Sequence, residues 1–472
     1  MDLRQQLIQD LLGRENIVLS EDQEEALKTF SYFMDAEEER ATFLLTGSAG
    51  TGKTFLINLL TLMLRRSGYK VVLLAPTGRA AKVITRSTKR LAFTIHHHIY
   101  SPLENAYGDV HFVLKANKEL TKTVYVVDEA SMIGDQTDGS TPGGLLDDLA
   151  GYVFGMDPYR KLVLVGDPVQ LPPVGHSESP ALDAPHLENK TDLSVYHTHL
   201  TDVKRQINDS NVLENAVRVR DAFLNNRPQD LEFNIGREVQ VLENPWEALE
   251  TYMGYYQEGN PDRVVFLTYS NYQAVRVNQA IRHQLLETEE LLIPGDLLMV
   301  VKNNYAWGDS KRMPFIANGE MCTVREVMSE TYEERYGLKW VNASLEFLDR
   351  KGELMLVECK LVLDLLQSKT PQLDHELRMS IMQERRHEYI GMSKAKVSEL
   401  LRSDPYLNAL QVKYGYAITG HKSQGGQWQN VLIGFEPDYG NNILAYIRWT
   451  YTTLTRAEDR VFVLRCPFVE AY

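Results

Sequence analysis

The sequence predicts an α/β protein with parallel sheets, and three segments carry this prediction. Residues 47–54, GSAGTGKT, form a glycine-rich loop between a short β-branched stretch and a longer apolar, helix-like one. Residues 124–127 form a second β-branched run that ends in two acids, and residues 161–165 form a third run. Continuous apolar runs of this length are typical of strands buried on both faces of a parallel sheet.

The glycine-rich loop has the composition of a phosphate site. Its three glycines allow the backbone to curl so that successive N–H groups point at phosphate oxygens, and the helix that follows adds partial positive charge. Lys53 is expected to reach the β- and γ-phosphates, and the Thr54 hydroxyl is expected to hold Mg²⁺. The residues predicted to bind the phosphates of ATP are Gly47, Ala49, Gly50, Thr51, Gly52, Lys53 and Thr54.

The second and third strands end in residues suited to hydrolysis. Asp128 is predicted to hold Mg²⁺ through its hydration shell, and Glu129 to orient and deprotonate the attacking water. Gln170 follows the third strand, where ligands bind in open α/β sheets, and can contact the γ-phosphate. The alternative for the acid pair is that both acids merely cap the segment that follows. The alternative for the segment with Gln170 is an ordinary loop that contains prolines. Two adjacent acids favour a helicase or ATPase, because a kinase does not need the second one.

Composition and charge set further limits on function. No stretch approaches the roughly 20 apolar residues of a membrane helix, and the first residues do not resemble a signal peptide. Three widely spaced cysteines form neither a disulfide framework nor a zinc pattern, which predicts a reducing cytoplasm. The net charge is −14, yet residues 41–103 contain nine Lys and Arg and no acid. This basic stretch is compatible with polyanion binding, although a solvated helix face would have the same composition.

The order of the motifs resembles that of superfamily 1 DNA helicases of the RecD, Dda and Pif-type branch. The matching segments are Ser20–Gln23, 47–54, Leu74–Ala81, Thr94–His96, Asp128–Ser131, Gly166–Gln170, Leu200–Gln206, Thr419–Gly425 and Thr453–Ala457. The resemblance implies that Gln23 reads the adenine edge. It also implies that Arg205 and Arg456 complete the catalytic set formed with Lys53, Glu129 and Gln170.

The same resemblance implies a set of DNA contacts. These residues are Pro76, Thr77, Arg79, His96, Thr419, His421, Lys422 and Gln424. Gln427 departs from the family pattern, because the family usually has a Glu here that bonds the nucleotide sugar. An amide can still form a hydrogen bond to the sugar, but without the charge. The His96–His98 run has no carboxylate or cysteine nearby to complete a metal site. The resemblance favours a DNA-backbone contact for His96.

For the fold, the resemblance implies two RecA-like P-loop domains, a small β-hairpin inserted in the first, and an SH3-like β-barrel with a helical insertion in the second. The predicted boundaries are an N-terminal helix at 1–20, a first RecA-like domain at 21–200, a pin hairpin at about 101–120, a second RecA-like domain at 201–320 and 411–472, and the barrel with its helical extension at 321–410. Tyr107 and Phe112 are candidates for stacking on a splitting base pair. An ordinary surface hairpin with a core aromatic explains either residue equally well.

The predicted function is an ATP-dependent DNA helicase that moves along single-stranded DNA and hydrolyses ATP, with Mg²⁺, at the interface of the two RecA-like domains. The 5′-to-3′ direction, and DNA rather than RNA, come from the resemblance alone. The expected partners are single-stranded DNA and tailed or forked duplexes. We expect a monomeric motor with repair or replication partners and no membrane association. One alternative is a helicase-like subunit of a larger repair or exonuclease complex with weak unwinding alone; an ATPase that strips proteins from DNA is another.

Overall fold

The computed structural model describes residues 18–104, 110–137, 141–202, 210–308, 312–313, 315–329, 332–349, 352–370, 372–436 and 442–469. The chain contacts divide into two compact units. The first comprises residues 1–103, 111–231 and 443–455, and the second comprises 104–110, 232–442 and 456–472. Of the helix predicted at 1–20, only residues 18–20 fall within the described part. The predicted domain boundaries remain predictions.

A six-stranded parallel sheet forms the centre of the first unit, in the order β3-β2-β6-β7-β1-β8. Its strands are β1 (Ala41–Gly47), β2 (Lys70–Ala75), β3 (Ala92–Thr94), β6 (Thr123–Val127), β7 (Lys161–Gly166) and β8 (Ser194–Leu200), and a separate two-stranded sheet contains β4 (Tyr100–Glu104) and β5 (Val110–Leu114). The helices are α1 (Glu21–Asp35), α2 (Lys53–Arg66), α3 (Gly78–Thr88), α4 (Ile95–Ile99), α5 (Leu145–Phe154), α6 (Ala184–Thr191) and α7 (Asn211–Leu224).

Burial of apolar residues on both faces explains this sheet. Every residue of β1 is buried, as expected for a central strand covered by helices on both sides. Phe43 of β1 packs against Phe30 and Phe33 of α1, with ring centroids 5.2 and 5.7 Å away. A capping box between Ser20 and Gln23 starts α1 and fixes where this helix begins.

The second unit contains a five-stranded parallel sheet in the order β17-β10-β18-β19-β9. Its strands are β9 (Val239–Leu242), β10 (Val264–Thr268), β17 (Ala417–Thr419), β18 (Trp428–Gly434) and β19 (Ala457–Leu464). The helices along this part of the chain are α8 (Pro245–Tyr255), α9 (Asn271–Leu286), α10 (Asp364–Gln367), α11 (His375–Glu388), α12 (Lys394–Arg402) and α13 (Gly420–Ser423). The last helix, α14 (Ile443–Leu454), belongs by its contacts to the first unit.

A small barrel completes the second unit. Its strands are β11 (Leu297–Val300), β12 (Met321–Val327), β13 (Glu333–Arg335), β14 (Leu338–Leu348), β15 (Leu354–Val362) and β16 (Leu410–Tyr414). The pairing of β12 with β14, added to the order β12-β11-β16-β15-β14-β13, closes the sheet on itself. Closure leaves no free edge along the five strands of the ring. The barrel therefore also takes in β11, which precedes the 321–410 segment.

The two parallel sheets confirm the predicted α/β class and fit two RecA-like domains, and a small barrel is present. Strands β4 and β5 pair where a hairpin is predicted, but residues 105–109, which include Tyr107, lie outside the described residues. The Phe112 ring lies 5.7 Å from that of Tyr100. In the part of the chain that the structure describes, no helix is long and apolar enough to cross a membrane.

Candidate nucleotide and DNA site

The predicted nucleotide residues of the first unit meet at one edge of its sheet. Strand β7 pairs in parallel with β1 on one side and with β6 on the other. The carboxyl ends of these three strands therefore lie side by side. The glycine-rich loop follows β1, Asp128 follows β6, and the segment from Asp167 to Gln170 follows β7. This edge is where open α/β sheets bind their ligands.

The loop geometry matches the phosphate role predicted for it. Gly50 and Gly52 have φ angles of 82° and 91°, in the left-handed region that residues with a Cβ rarely adopt. A Cβ on Gly52 would lie only 2.5 Å from the Nε2 of Gln23. The Nζ of Lys53 donates to the carbonyls of Gly47 and Ser48, at 2.7 and 2.8 Å. No side chain among the described residues caps the start of helix α2, so its first N–H groups suit an anion.

Gln23 braces the glycine-rich loop. Its Nε2 donates to the carbonyl of Thr51 at 3.1 Å, and its Oε1 accepts from the N–H of Ser20 at 3.2 Å. The side chain is buried, and both ends of its amide are bonded to backbone. This arrangement fixes the loop relative to α1, and adenine reading by Gln23 remains a prediction.

The acid pair is held by a strained turn. The N–H of Glu129 donates to the Oδ1 of Asp128 at 2.8 Å, and Glu129 has a left-handed φ of 55°. Burial, followed by the charge of Glu129, raises the pKa of Asp128 above its usual range. A nearby cation would counter both effects. Carboxylate and hydroxyl oxygens are ligands that Mg²⁺ accepts, so Asp128 and the exposed Thr54 fit the predicted metal site.

Gln170 presents an unsatisfied amide oxygen. The side chain is only 6% exposed, and among the residues that the structure describes its buried Oε1 has no hydrogen-bond partner. Leaving a buried polar atom unpaired costs about 1–3 kcal/mol, which a ligand can recover. The oxygen can accept from a water, and a flipped amide would donate to a phosphate instead. The orphaned atom therefore fits the predicted role of Gln170 beside the γ-phosphate.

Sequence reasoning missed Tyr451, on α14. Its hydroxyl accepts from the N–H of Ala49 and donates to the Oδ2 of Asp167, both at 2.7 Å. Asp167 is fully buried, accepts from the N–H of Val169 at 3.0 Å, and lies 3.9 Å from the Nζ of Lys53. In the sequence, Tyr451 is only a tyrosine on an apolar helix, five residues before Arg456. The residues around it do not indicate a contact with the glycine-rich loop.

The predicted DNA residues of the first unit lie at the same sheet edge. Pro76 and Thr77 follow β2, and Arg79 lies in the first turn of α3, where the Thr77 hydroxyl accepts from the N–H of Ala80 at 3.2 Å. Strand β3 pairs with β2 and places Thr94 beside Ala75. His96 follows two residues later.

The predicted DNA residues of the second unit lie where β17 ends. Thr419 ends this strand, His421 and Lys422 lie in α13, and Gln424 follows it. Within the described part of the chain, the buried Nζ of Lys422 has no hydrogen-bond partner. Burial, with a smaller effect from Lys413, lowers the pKa of Lys422 to about 8. An unpaired buried ammonium group is suited to an anionic ligand.

Three predicted nucleotide residues remain, namely Arg456, Gln427 and Arg205. Arg456 is buried in the second unit, and its Nη1 donates to the carbonyl of Gly426 at 3.3 Å. Gln427 is exposed in the same unit. Arg205 lies outside the described residues. Within the described ranges, no group of three His, Cys, Asp or Glu side chains could hold a metal ion.

Two family models match the chain. Residues 18–224 match the model described as an AAA domain, and residues 414–464 match the UvrD-like helicase C-terminal domain. These ranges contain the two sets of motifs at the carboxyl ends of the two parallel sheets.

The curated proteins similar to the chain include the following three. Uncharacterized protein MJ1519 of Methanocaldococcus jannaschii is 23% identical over 465 residues, which cover 89% of this chain and 36% of that protein. The ATP-dependent RecD2 DNA helicase of Deinococcus radiodurans is 32% identical over 131 residues, covering 28% of this chain and 16% of that protein. The ATP-dependent DNA helicase dda of Enterobacteria phage T4 is 25% identical over 279 residues, covering 57% and 59%.

The chain thus spans 36% of the length of the first of these relatives, 16% of the second and 59% of the third. Its matches to the AAA domain, to the UvrD-like helicase C-terminal domain and to the RecD2 and Dda proteins agree with the order of its own motifs. Over these ranges, the chain is similar to superfamily 1 helicases of the RecD and Dda type.

Proposed function

We propose that this protein is an ATP-dependent DNA helicase that moves along single-stranded DNA. One observation carries the proposal: the phosphate loop, the acid pair and Gln170 meet at the carboxyl edge of one parallel sheet. A phosphate-binding protein without hydrolysis would need the loop alone. Glu129 follows the predicted metal ligand Asp128, and Gln170, whose amide oxygen is unpaired among the described residues, follows the neighbouring strand; both support water activation.

Each residue has a distinct task in the proposed reaction. The glycine-rich loop and Lys53 bind and orient the triphosphate, and Gln23 keeps the loop in place. Asp128 and Thr54 would hold Mg²⁺, which supplies neutralising charge on the phosphates when bound. Glu129 accepts the proton of the attacking water, and Gln170 positions that water or contacts the terminal phosphate.

The resemblance extends the proposal to residues that the structure leaves untested. Arg205 and Arg456 would neutralise charge that develops in the transition state, and such an arginine is typically worth about 10³–10⁵ in rate. Gln427 would contact the nucleotide sugar. The eight predicted DNA residues would form the track, the barrel would act as the SH3-like module of the family, and movement would run 5′ to 3′. The three cysteines are free thiols, which supports the predicted reducing cytoplasm.

Steady-state ATP hydrolysis with and without single-stranded DNA tests the core of the proposal. We expect strong stimulation by DNA and loss of hydrolysis in Lys53→Ala. Lys396→Ala, which changes an exposed lysine on α12, is the matched control and should behave as wild type. A rate that DNA leaves unchanged would contradict a motor coupled to a track. A subunit that requires partners would then be the better description.

Unwinding of tailed duplexes tests direction. Duplexes with only a 5′ tail should be separated, while those with only a 3′ tail should remain paired. Separation from the 3′ tail alone would reverse the proposed direction without affecting the proposed hydrolysis. DNA-stimulated hydrolysis with no unwinding of either substrate would favour an ATPase that displaces bound proteins.

A further inference from the structure

The hydroxyl of Tyr451 accepts from the N–H of Ala49, one of the groups predicted to bind a phosphate in the glycine-rich loop. A phenol has one donor and accepts through its oxygen, and here both capacities are used. The oxygen accepts from Ala49, and the hydrogen goes to Asp167. Because the Ala49 amide has a single hydrogen, a phosphate oxygen that binds it must compete with the phenol.

Tyr451 and its hydrogen-bond partner Asp167 are both buried. Tyr451 is 1% exposed and Asp167 is fully buried, so solvent does not offer either residue an equivalent partner. Asp167 also lies next to Lys53, and the neighbouring Thr452 accepts from the N–H of Leu171 at 3.0 Å. Helix α14 is thereby bonded both to the phosphate loop and to the segment that contains Gln170.

We propose that Tyr451 is a positioning residue that competes with a nucleotide phosphate for the Ala49 N–H, so that phosphate binding releases the phenol from the loop. The inference rests on the proposed function, since it takes the loop to bind a nucleoside triphosphate. This competition couples phosphate binding at the loop to a contact of α14, the helix that directly precedes Arg456. The Tyr451 hydroxyl lowers the affinity for the phosphates and does not change the affinity for the base and sugar.

Tyr451→Phe removes the hydroxyl and keeps the ring. We measure binding of a non-hydrolysable ATP analogue with Mg²⁺, and of adenosine by competition. Losing one competing hydrogen bond should tighten binding of the triphosphate by about two- to tenfold and leave adenosine unchanged. Tyr125→Phe is the matched control, since it removes a buried hydroxyl in the same unit that donates to Asn117 at 3.0 Å. The control should bind both ligands as wild type does.

Three results would overturn the proposal: unchanged triphosphate affinity, weaker triphosphate affinity, or equal tightening for both ligands. Hydrogen exchange of a peptide containing Ala49, measured without nucleotide, gives a second reading that needs no ligand. The amide should exchange faster in Tyr451→Phe than in wild type, and equal rates would also overturn the proposal. If wild type fails to bind the triphosphate at all, the proposed function fails. If wild type binds it and Tyr451→Phe binds no tighter, only this inference fails.

Discussion

The backbone N–H of Glu129 donates a 2.8 Å hydrogen bond to the Oδ1 of Asp128, the residue before it. The bond accompanies a left-handed φ of 55° at Glu129, a conformation that costs energy for a residue with a Cβ. Strained backbone of this kind persists mostly at functional sites. The turn gives the two neighbouring carboxyl groups different surroundings, which suits one metal-binding acid and one general base.

The first prediction concerns the general base. Glu129→Gln keeps the size of the side chain but cannot take a proton from water, so hydrolysis should fall by about 10²–10⁴. Binding of an ATP analogue should remain within about twofold of wild type, because no phosphate contact is removed. Hydrolysis assays and equilibrium binding, measured on the same preparation, check both parts. Wild-type hydrolysis in this variant would assign the general base to another residue.

Gly52 tests the geometry of the phosphate loop. Gly52→Ala should weaken ATP binding by about tenfold or more, a free-energy loss of about 1.4 kcal/mol or more. Its Cβ would collide with the amide of Gln23 and impose a residue with a side chain at φ 91°. Gly68→Ala is the matched control, since Gly68 has φ 80° and no atom of the described residues lies within 4 Å of its Cβ position. The control should lose about 1–2 kcal/mol of unfolding free energy and keep its ATP affinity. Similar affinity losses in both variants would attribute the effect to backbone strain rather than to Gln23.

Lys422 tests the DNA track in the second unit. Lys422→Met should weaken binding of a single-stranded oligonucleotide and reduce the slope of log affinity against log salt by about 0.7, the value for one phosphate contact. Lys396→Met, which changes a lysine on α12 paired with Glu399, should leave the slope unchanged. Titrating affinity between 50 and 200 mM salt, roughly the range over which counterion release is resolved, measures both slopes. Equal slopes for wild type and Lys422→Met would show that Lys422 does not contact a DNA phosphate.

His98 predicts how stability depends on pH. Burial, with a smaller effect from Lys115, lowers the pKa of His98 to about 4, whereas the unfolded chain keeps a value near 6.5. The unfolded chain therefore takes up the proton first as the pH falls. The free energy of unfolding should be highest above pH 6.5 and should decline down to about pH 4.

His98→Phe isolates this effect. The imidazole packs against the rings of Phe93, Tyr125 and Tyr152, so another aromatic ring suits the site. Urea unfolding at pH 7, 5.5 and 4.5 should show a smaller decline for the variant than for wild type. His387→Phe, on the exposed surface of α11, should decline as wild type does. An equal decline in wild type and His98→Phe would show that other groups cause the acid sensitivity.

The sequence alone identified the parts whose geometry is encoded within a few residues. The glycine-rich loop was predictable because only glycine enters the left-handed region at Gly50 and Gly52 without cost. The acid pair was predictable because an uninterrupted β-branched run places it at the end of a buried strand. Those local signals were enough to predict the α/β class and to place the glycine-rich loop and the acid pair after buried strands.

The tertiary structure decided what joins distant segments. Tyr451 lies 402 positions from Ala49, and its role depends on how α14 packs rather than on any pattern around it. The closure of β12 onto β14 and the strand order that places Thr94 beside Ala75 are likewise long-range pairings. An apolar pattern in the sequence indicates that a strand or helix will be buried, but it does not specify which other element packs against it. That choice follows from the packing of the whole unit, so it became visible only in the folded chain.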